Sequence, residues 1–154
     1  MKKLRVYADT SVFGGCFDEE FAEASRRFFG EVRAGRFELI VSAIVAIEIV
    51  GAPQQVRDLF GELRRDHAQI VEPSAEIGRL RDAYVEKGVV GRSSIRDAEH
   101  IAAASVAGAD AIVSWNFRDI VNWRRIRGYH GVNLIEGYGA LAIHTPAEVV
   151  DYEA

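Results

Sequence analysis

Four acidic residues stand in settings that are unusual for ordinary surface charges. Asp9 ends an apolar stretch, LRVYAD, and Glu48 interrupts AIVAIEIVGAP, a run of alanine, isoleucine and valine. Asp97 and Asp119 lie in two later segments, SIRDAEHIAAASVA and NFRDIVN. Grouped carboxylates raise each other's pKa unless a cation neutralises them. Sites made only of oxygen ligands select hard ions such as Mg²⁺ or Mn²⁺. The chemistry to expect is therefore that of a divalent metal site.

Glu48 is the most informative of these residues, because a buried carboxylate without a partner is costly. On a helix it has apolar neighbours in sequence on both sides. A helix that turned Glu48 outward would also expose Ile44 or Val45. We therefore predict that Glu48 is a functional carboxylate and that a divalent cation beside it offsets the cost of its burial.

The other polar residues also have structural interpretations. Asp9, in DTS, is suited to capping a turn or a helix. Asp97 follows Ser94 by three residues, which matches a Ser-x-x-Asp capping box, and it suits the positive end of a helix dipole. Asn116 is typical of a turn, and Asp119 of an exposed helix start. The functional interpretation depends on whether these residues meet in space.

Strands and helices alternate along the chain and must position the acids. Apolar stretches predict four strands, at 4–9, 37–42, 110–115 and 132–136. The segment HAQIVEP is a short connection that could contain a further small strand. Helical spacing predicts helices at 19–34, from 43 to about 51 with Ser42 as its cap, and at 54–66, 74–87 and 94–107. A short helix or turn follows at 117–126, and Thr145 with Pro146 begins a last helix.

This alternation predicts the fold class. Strands that alternate with helices form a parallel sheet covered on both faces, and continuous apolar strands agree with that. The 154 residues suit one domain, and no repeat or linker divides them. We predict a single α/β domain of three layers, α/β/α, over residues 1–154. Ligands bind outside the carboxyl ends of the strands in such sheets, where Asp9, Glu48, Asp97 and the 116–119 segment would converge.

Composition limits the partners and the compartment. The formal net charge is −4, so any contact with nucleic acid must use local patches or metal ions. Cys16 is the only cysteine and can form no internal disulfide, which fits a reducing cytoplasm. No apolar run approaches the ~18 residues of a membrane span. Arg5 and Asp9 interrupt the first apolar stretch, which is too short for a signal peptide.

Four segments together carry a family resemblance. The set DTSVFGG, AIEIVGAP, DAEHIAAA and SWNFRDIVN resembles a PIN domain, the metal-dependent ribonuclease fold of VapC-type toxins. The similarity covers essentially the whole chain, to TPAEVV, and depends on the order and spacing of the motifs. It implies that Asp9, Glu48 and Asp97 hold the metal. Asn116 and Asp119 match a looser fourth position, where many members have an aspartate at the place of Asn116.

The resemblance implies a reaction and its cofactor. The protein would be a hydrolase that cuts single-stranded RNA with Mg²⁺ or Mn²⁺, and its products would carry a 5′-phosphate. The ion would lower the pKa of a bound water, and a second ion, if present, would steady the leaving oxygen. Thr10 or Ser11 matches a hydroxyl position that orients water or phosphate. The catalytic set is thus Asp9, Glu48, Asp97 and Asp119, and His100 is expected to have only a packing or surface role.

Basic residues near the acids are candidates for binding RNA. Arg92, Arg96 and Arg118 flank the acidic motifs, and Asn116 lies among them. The stretch NWRRIRGYHG interleaves three arginines with Trp123 and Tyr129, so that arginines could meet phosphates and the aromatic rings could stack on bases. A solvated basic loop with its aromatic residues in the core is equally open.

The resemblance also implies partners. A toxin-like nuclease would meet an antitoxin whose segment blocks the site, and PIN domains of this type commonly form homodimers. Candidate surfaces are the helix from Glu19 to Ala34, with Phe28 and Phe29, and the helix from Gln54 to Asp66, although core packing also accounts for these side chains.

Three other classes of protein are alternatives to the nuclease. A phosphorelay receiver needs a lysine near the end of a late strand, and none of the lysines follows the third strand. A haloacid-dehalogenase-like phosphatase needs a second aspartate two residues after the first, where Ser11 stands. The remaining alternative is a non-catalytic PIN-like module that binds RNA or a protein.

Overall fold

Five parallel strands form one central sheet in the computed structural model, which describes residues 2–150. The order across the sheet is β3-β2-β1-β4-β5. The strands are β1 Leu4–Ala8, β2 Phe37–Ser42, β3 Ala68–Val71, β4 Ala111–Val113 and β5 Ala142–His144. Consecutive residues of β1, Val6, Tyr7 and Ala8, are all buried although they point to opposite faces of the sheet. Both faces are therefore covered.

Helices make the two outer layers. They are α1 Thr10–Gly15, α2 Ala22–Arg33, α3 Ala43–Ile49, α4 Gln54–His67, α5 Ala75–Glu86, α6 Ile95–Val106, α7 Trp123–Glu136 and α8 Pro146–Val149, with a 3-10 turn at Arg92–Ser94 before α6. Helices α1, α2, α4 and α8 pack among themselves, as do α5, α6 and α7. The predicted α/β/α architecture is confirmed. Among the described residues, no helix combines the length and apolarity that a membrane crossing requires.

The strand order reverses between β1 and β4. The chain builds outward from β1 to β2 and β3, and then returns to the other side of β1 to add β4 and β5. Such a reversal is where a crevice opens at the carboxyl ends of the strands. Ala8 of β1 lies opposite Val113 of β4. The residues that follow, Asp9 and Ser114, therefore emerge side by side at this crevice.

The predicted strand at 132–136 is wrong, because VNLIE forms the end of α7. A short apolar run cannot by itself distinguish a strand from a buried helix segment. Here the Asn133 amide donates to Ser105 Oγ at 2.9 Å and its carbonyl accepts from the Tyr84 hydroxyl, so buried side-chain bonds hold α7 against α5 and α6. Gly137, at φ +85°, ends the helix. The missed strand is β5.

Two predicted helix starts have different outcomes. Thr145 and Pro146 begin α8 as predicted, and Glu148 Oε1 accepts the Thr145 N–H at 2.9 Å. Ser42 does stand at the N-cap of α3, but its side chain makes no capping bond. Its Oγ lies instead 2.6 Å from the Tyr7 hydroxyl. The Ser42 side chain therefore pairs with Tyr7 on the neighbouring strand β1 and does not cap the first turn of α3.

The aromatic residues that the sequence offered as a dimer surface lie in the core. Phe28 and Phe29 of α2 are fully buried, and so is Leu63 of α4. The large apolar side chains that are exposed lie elsewhere. They are Leu4, Phe17, Ile47, Val50, Phe117, Trp123, Leu134 and Ile135.

Two glycines of α7 allow the packing and the continuity of this helix to be tested. A Cβ at Gly128 would lie 2.8 Å from Val89 Cγ1, whereas one at Gly131 would meet nothing within 4 Å. We expect Gly128→Ala to lower the free energy of unfolding by about 1–3 kcal/mol through overpacking. Gly131→Ala should raise it by roughly 0.5–1 kcal/mol, because alanine favours the helix. Urea unfolding measures both, and a destabilising Gly131→Ala would contradict a continuous α7.

Candidate functional site

Asp9 occupies the crevice between β1 and β4. It is 4% exposed, and its side chain makes no capping bond to α1. Its Oδ1 accepts from Ser11 Oγ at 2.6 Å and its Oδ2 from Ser114 Oγ at 2.7 Å. Burial nevertheless raises the pKa of Asp9, because His100 and the two hydroxyls offset it only in part. The two hydroxyls thus fix the orientation of the carboxylate, but its partners do not fully offset the cost of burying its negative charge.

Glu48 lies on α3, with its side chain 23% exposed. Its Oε1 accepts from Thr10 Oγ1 at 2.6 Å and lies 2.7 Å from His100 Nε2. Burial alone would raise the pKa of Glu48, but the bond to His100, the charge of His100 and the bond to Thr10 together lower it. These partners, already present in the protein, offset the burial that the sequence analysis assigned to a cation. Among the described residues, nothing donates to Oε2.

His100 lies at the centre of the acids, contrary to its predicted packing or surface role. It is 2% exposed. Burial would lower its pKa, but the hydrogen bond with Glu48 and the charges of Asp9, Glu48 and Asp97 raise it. The nearby carboxylates thus favour the protonated form of this histidine. A sequence signal was available, since His100 follows Asp97 by three residues and shares its helix face.

A chain of hydrogen bonds holds the His100 ring. Its Nδ1 lies 2.7 Å from the Tyr7 hydroxyl, which lies 2.6 Å from Ser42 Oγ. Burial raises the pKa of Tyr7, so its hydroxyl stays neutral. In the imidazolium form both ring nitrogens donate. Nε2–H then donates to Glu48, Nδ1–H donates to Tyr7, and Tyr7 donates to Ser42. We call this chain, Ser42, Tyr7, His100 and Glu48, the histidine relay.

Asp97 and Asp119 form the second half of the site. Asp97 is in the first turn of α6. Burial, and next the charge of Asp119, raise its pKa to about 6, and a hydrogen bond between the two carboxyls contributes. Asp119 is 2% exposed, so its interpretation as an exposed helix-start acid is wrong. Ser94, at the N-cap of α6, makes no capping bond, so the capping box proposed for Asp97 is not formed.

Asn116 shapes the turn that brings Asp119 inward. Its Oδ1 accepts the N–H groups of Arg118 at 3.1 Å and Asp119 at 3.0 Å, and its own N–H donates to Ser114 Oγ at 2.9 Å. The Tyr129 hydroxyl donates to the Asp119 carbonyl at 2.7 Å. The turn interpretation of Asn116 fits this geometry, and a role in substrate binding stays a prediction.

The basic stretch NWRRIRGYHG is helical rather than a loop. Tyr129 is fully buried, so its predicted stacking on bases is wrong. Trp123 is exposed, with the Arg124 guanidinium 5.6 Å from its ring centroid. Arg125 donates to the Val89 carbonyl. Nearer the acids, Arg118 Nε donates to Asp119 Oδ2 at 2.9 Å. Arg96 contributes to the low pKa of Glu48.

The donor chemistry of the site fits a hard divalent cation. All four acids offer oxygen, the ligand that Mg²⁺ and Mn²⁺ prefer. Burial and the charge of Asp119 raise the pKa of Asp97, and a bound cation would relieve the same repulsion. Within residues 2–150, however, no three His, Cys, Asp or Glu side chains are already arranged to hold a metal ion. The acids lie near one another, and hydroxyls and an imidazole are hydrogen-bonded to two of them, Asp9 and Glu48.

The fold is similar to that of a solved structure. It matches a chain in the crystal structure of VapBC2 from Rickettsia felis bound to a DNA fragment from the promoter, with a TM-score of 0.54. The match covers 75% of this chain and 90% of that chain, at 17% sequence identity. No protein-family model and no curated protein matches the sequence. The likeness therefore shows the fold.

The crowding of Asp97 predicts a pH-dependent gain in stability for Asp97→Asn without metal. The folded protein holds a proton on Asp97 up to about pH 6, whereas the unfolded chain releases it near its ordinary value of 3.8. Stability is therefore lost as pH rises between these values. Asp97→Asn avoids that loss, so its advantage in Tm should grow over this interval and then stay constant.

Thermal unfolding in EDTA at several pH values measures this difference. Glu19→Gln is the matched control, because Glu19 is an exposed acid outside the site. We expect the control to differ from the wild type by the same small amount at every pH. An Asp97→Asn advantage that does not change with pH would contradict the crowded carboxyl pair.

The histidine relay gives a second prediction. Tyr7→Phe removes the hydroxyl that joins His100 Nδ1 to Ser42. Because it leaves buried polar groups unpaired, we expect a loss of about 1–3 kcal/mol in the free energy of unfolding. Ser42→Ala keeps the Tyr7–His100 bond and should cost less. Urea unfolding compares the two, and equal effects would mean that the His100 contact contributes nothing.

Proposed function

We propose that this protein is a divalent-metal-dependent endoribonuclease that hydrolyses phosphodiester bonds in single-stranded RNA. The observation that carries the proposal is the convergence of Asp9, Glu48, Asp97 and Asp119 at the strand-order reversal, where their charges act on one another and on His100. Such an accumulation of negative charge is unfavourable for the fold alone. It has a purpose if a cation and a phosphate are to be bound there.

The residues would divide the work as follows. Asp9, Asp97 and Asp119 would hold Mg²⁺ or Mn²⁺. Glu48, which the resemblance gave as a third metal ligand in place of Asp119, is assigned here to the water beside the ion, because Thr10 and His100 already hold its Oε1. When bound, such an ion supplies a water of lowered pKa and neutralises charge on the scissile phosphate. His100 fixes Glu48 through Oε1, which leaves Oε2 as an acceptor for a proton of the attacking water.

The hydroxyls and arginines have supporting roles in this proposal. Thr10 and Ser11 were expected to contact phosphate or water directly, but their hydroxyls donate to Glu48 and Asp9. We assign them the orientation of those carboxylates. Arg96 and Arg118, next to the acids, would contact substrate phosphates.

The partners form a further part of the proposal. By its resemblance to VapC-type toxins, the protein would be the toxin of a toxin–antitoxin pair in the cytoplasm and would form a homodimer. Ile47 and Val50, exposed on and just after α3 on either side of Glu48, offer apolar contact to an antitoxin segment that covers the acids. The exposed Leu134 and Ile135 of α7 are a better candidate dimer surface than the buried Phe28 and Phe29.

One observation favours a second candidate function. Because no group of three ligands is arranged for a metal within residues 2–150, the site also fits a non-catalytic PIN-like module that binds RNA or a protein. In that case the acids would keep their hydrogen bonds to the hydroxyls and to the histidine relay, and they would bind no metal ion.

A metal titration separates the two candidates. If Mn²⁺ binds the folded state, the free energy of unfolding should rise by mass action, by about 2.7 kcal/mol at 100 times Kd. For a chain of this size that is roughly 5–10 °C in Tm. We expect the wild type to show this rise and to cut a single-stranded RNA. Asp97→Asn and Glu48→Gln should each abolish cleavage and reduce or remove the rise.

Glu99→Gln is the matched control for both variants. Glu99 lies on α6 two residues from Asp97, but its carboxylate pairs with Arg81 at 2.7 Å, outside the acid group. It should keep the cleavage rate and the Mn²⁺-linked Tm of the wild type. A wild-type protein that shows neither cleavage nor a Tm rise with Mn²⁺ would support the non-catalytic module. Full activity in Glu48→Gln would remove Glu48 from the site.

A further inference from the structure

We infer that Phe117 is a base-stacking residue, on which one nucleobase of a single-stranded RNA lies while an adjacent phosphate meets the acids. The inference rests on the proposed function and deepens it, since it names a substrate-binding residue of the same site. Sequence analysis singled out Trp123 and Tyr129 for stacking and not Phe117. Four features of Phe117 and its surroundings carry the inference.

The first feature is a ring that is exposed on one side and supported on the other. Phe117 is 52% exposed. Its ring centroid lies 6.2 Å from that of Trp115 and 6.3 Å from that of Phe21. Trp115 and Phe21 in turn stack at 4.3 Å with an angle of 21° between their planes. Phe117 is thus the outer member of an aromatic cluster, Phe21, Trp115 and Phe117, and about half of it is exposed to solvent.

The second feature is a backbone that fixes the ring beside the acids. Asn116 Oδ1 accepts the N–H groups of the two residues after Phe117, and Asn122 Nδ2 donates to the Phe117 carbonyl at 3.4 Å. Phe117 and Asp119 are two residues apart, so their Cα atoms lie within about 7 Å. A base on this ring and a phosphate at the acids would therefore come from nearby nucleotides of one strand.

The third feature ties the aromatic cluster to the catalytic segment. The Trp115 N–H donates to Ser11 Oγ at 2.9 Å, and Ser11 holds Asp9. Trp115 Nε1–H donates to the buried Ser25 Oγ at 2.8 Å. This packing needs a residue without a side chain at Gly15, where a Cβ would lie 2.6 Å from Ser25 Oγ. The aromatic cluster and the acid site are thus joined through Ser11, which contacts both Trp115 and Asp9.

The fourth feature is charge, and it favours RNA over a protein as the occupant. The Arg118 side chain is largely exposed, and its guanidinium pairs with Asp119 at the rim of the acids. An aromatic ring beside a cation is the arrangement with which proteins bind single strands, by stacking on bases and contacting phosphates. A site for a protein side chain would not require the ring to adjoin a phosphate-binding group.

Three substitutions at one position test the inference. Loss of a stacked base costs about 1–3 kcal/mol, which is about a 5- to 150-fold change in affinity. We expect Phe117→Ala and Phe117→Leu to raise by at least about five-fold the Kd for a fluorescein-labelled single-stranded RNA of mixed sequence. Phe117→Trp should bind as well as the wild type or better. Fluorescence anisotropy in Ca²⁺ or EDTA gives Kd without cleavage, and the cleavage assay should show the same factor in KM with kcat little changed.

Leu4→Ala is the matched control. Leu4 is 54% exposed, as Phe117 is, but it begins β1 at the end of the sheet opposite the acids. It should bind RNA with the wild-type Kd. All Phe117 variants should keep the Mn²⁺-linked rise in Tm, because Phe117 is no metal ligand, and this readout separates a lost stacking contact from a damaged site.

The possible results distinguish this inference from the proposed function. Wild-type Kd and KM in Phe117→Ala, in a protein that cuts RNA, would overturn the stacking role and leave the nuclease intact. Wild-type binding by Phe117→Leu would also overturn it, since apolar bulk alone would then suffice, as for a protein partner. A protein that binds RNA through Phe117 but never cuts it would support stacking and refute the nuclease.

Discussion

The repulsion among carboxylates at the carboxyl ends of β1 and β4 is the constraint on which the rest of the site depends. Asp9 and Asp119 are almost completely buried, and Glu48 and Asp97 are close enough to act on the same histidine. Three devices limit the cost. Hydroxyls hold Asp9, an imidazole holds Glu48, and a raised pKa favours the uncharged form of Asp97 beside Asp119. Each device brings a residue from another part of the chain, so compensating the charge also ties the elements together.

The histidine relay shows how closely fold and site are joined. Ser42 ends β2, Tyr7 lies within β1, His100 is on α6 and Glu48 on α3. Four elements therefore meet through buried polar bonds, and such a network specifies a single arrangement only if every member is satisfied. Acids that a ligand would need to reach are stabilised here by partners from the protein. Gathering these charges still lowers the stability of the fold, and natural proteins commonly tolerate such a cost where a site must bind or react.

The sequence predicted much of this structure for identifiable reasons. Continuous apolar stretches located β1, β2 and β4, and helical spacing located α2, α4, α5 and α6. Asp9, Glu48 and Asp97 were found because their apolar surroundings or motif order set them apart, and all three do lie around His100. These signals are local or depend on the order of motifs, so they can be read from the sequence alone.

Contacts that the sequence does not display decided the failures, two of them between distant parts of the chain and one within a single turn. VNLIE has the composition of a strand, but the bonds of Asn133 to Ser105 and Tyr84 hold it in a helix. His100 resembled a packing residue because nothing near it in sequence reveals that Tyr7 and Glu48 face its two nitrogens. Asp119 resembled a surface acid because the turn made by Asn116 is what directs it inward.

The strand order has a consequence for the newly made chain. Asp9 and Ser114 are 105 positions apart, and they meet only when β4 inserts beside β1. Pairing over such a separation must await the emergence of the later segment during synthesis. A ribosome that has translated only the first three strands thus carries a polypeptide without an assembled centre. If this centre cuts RNA, the machinery that makes the protein is not exposed to it until the segment that carries β4 and Ser114 has been made.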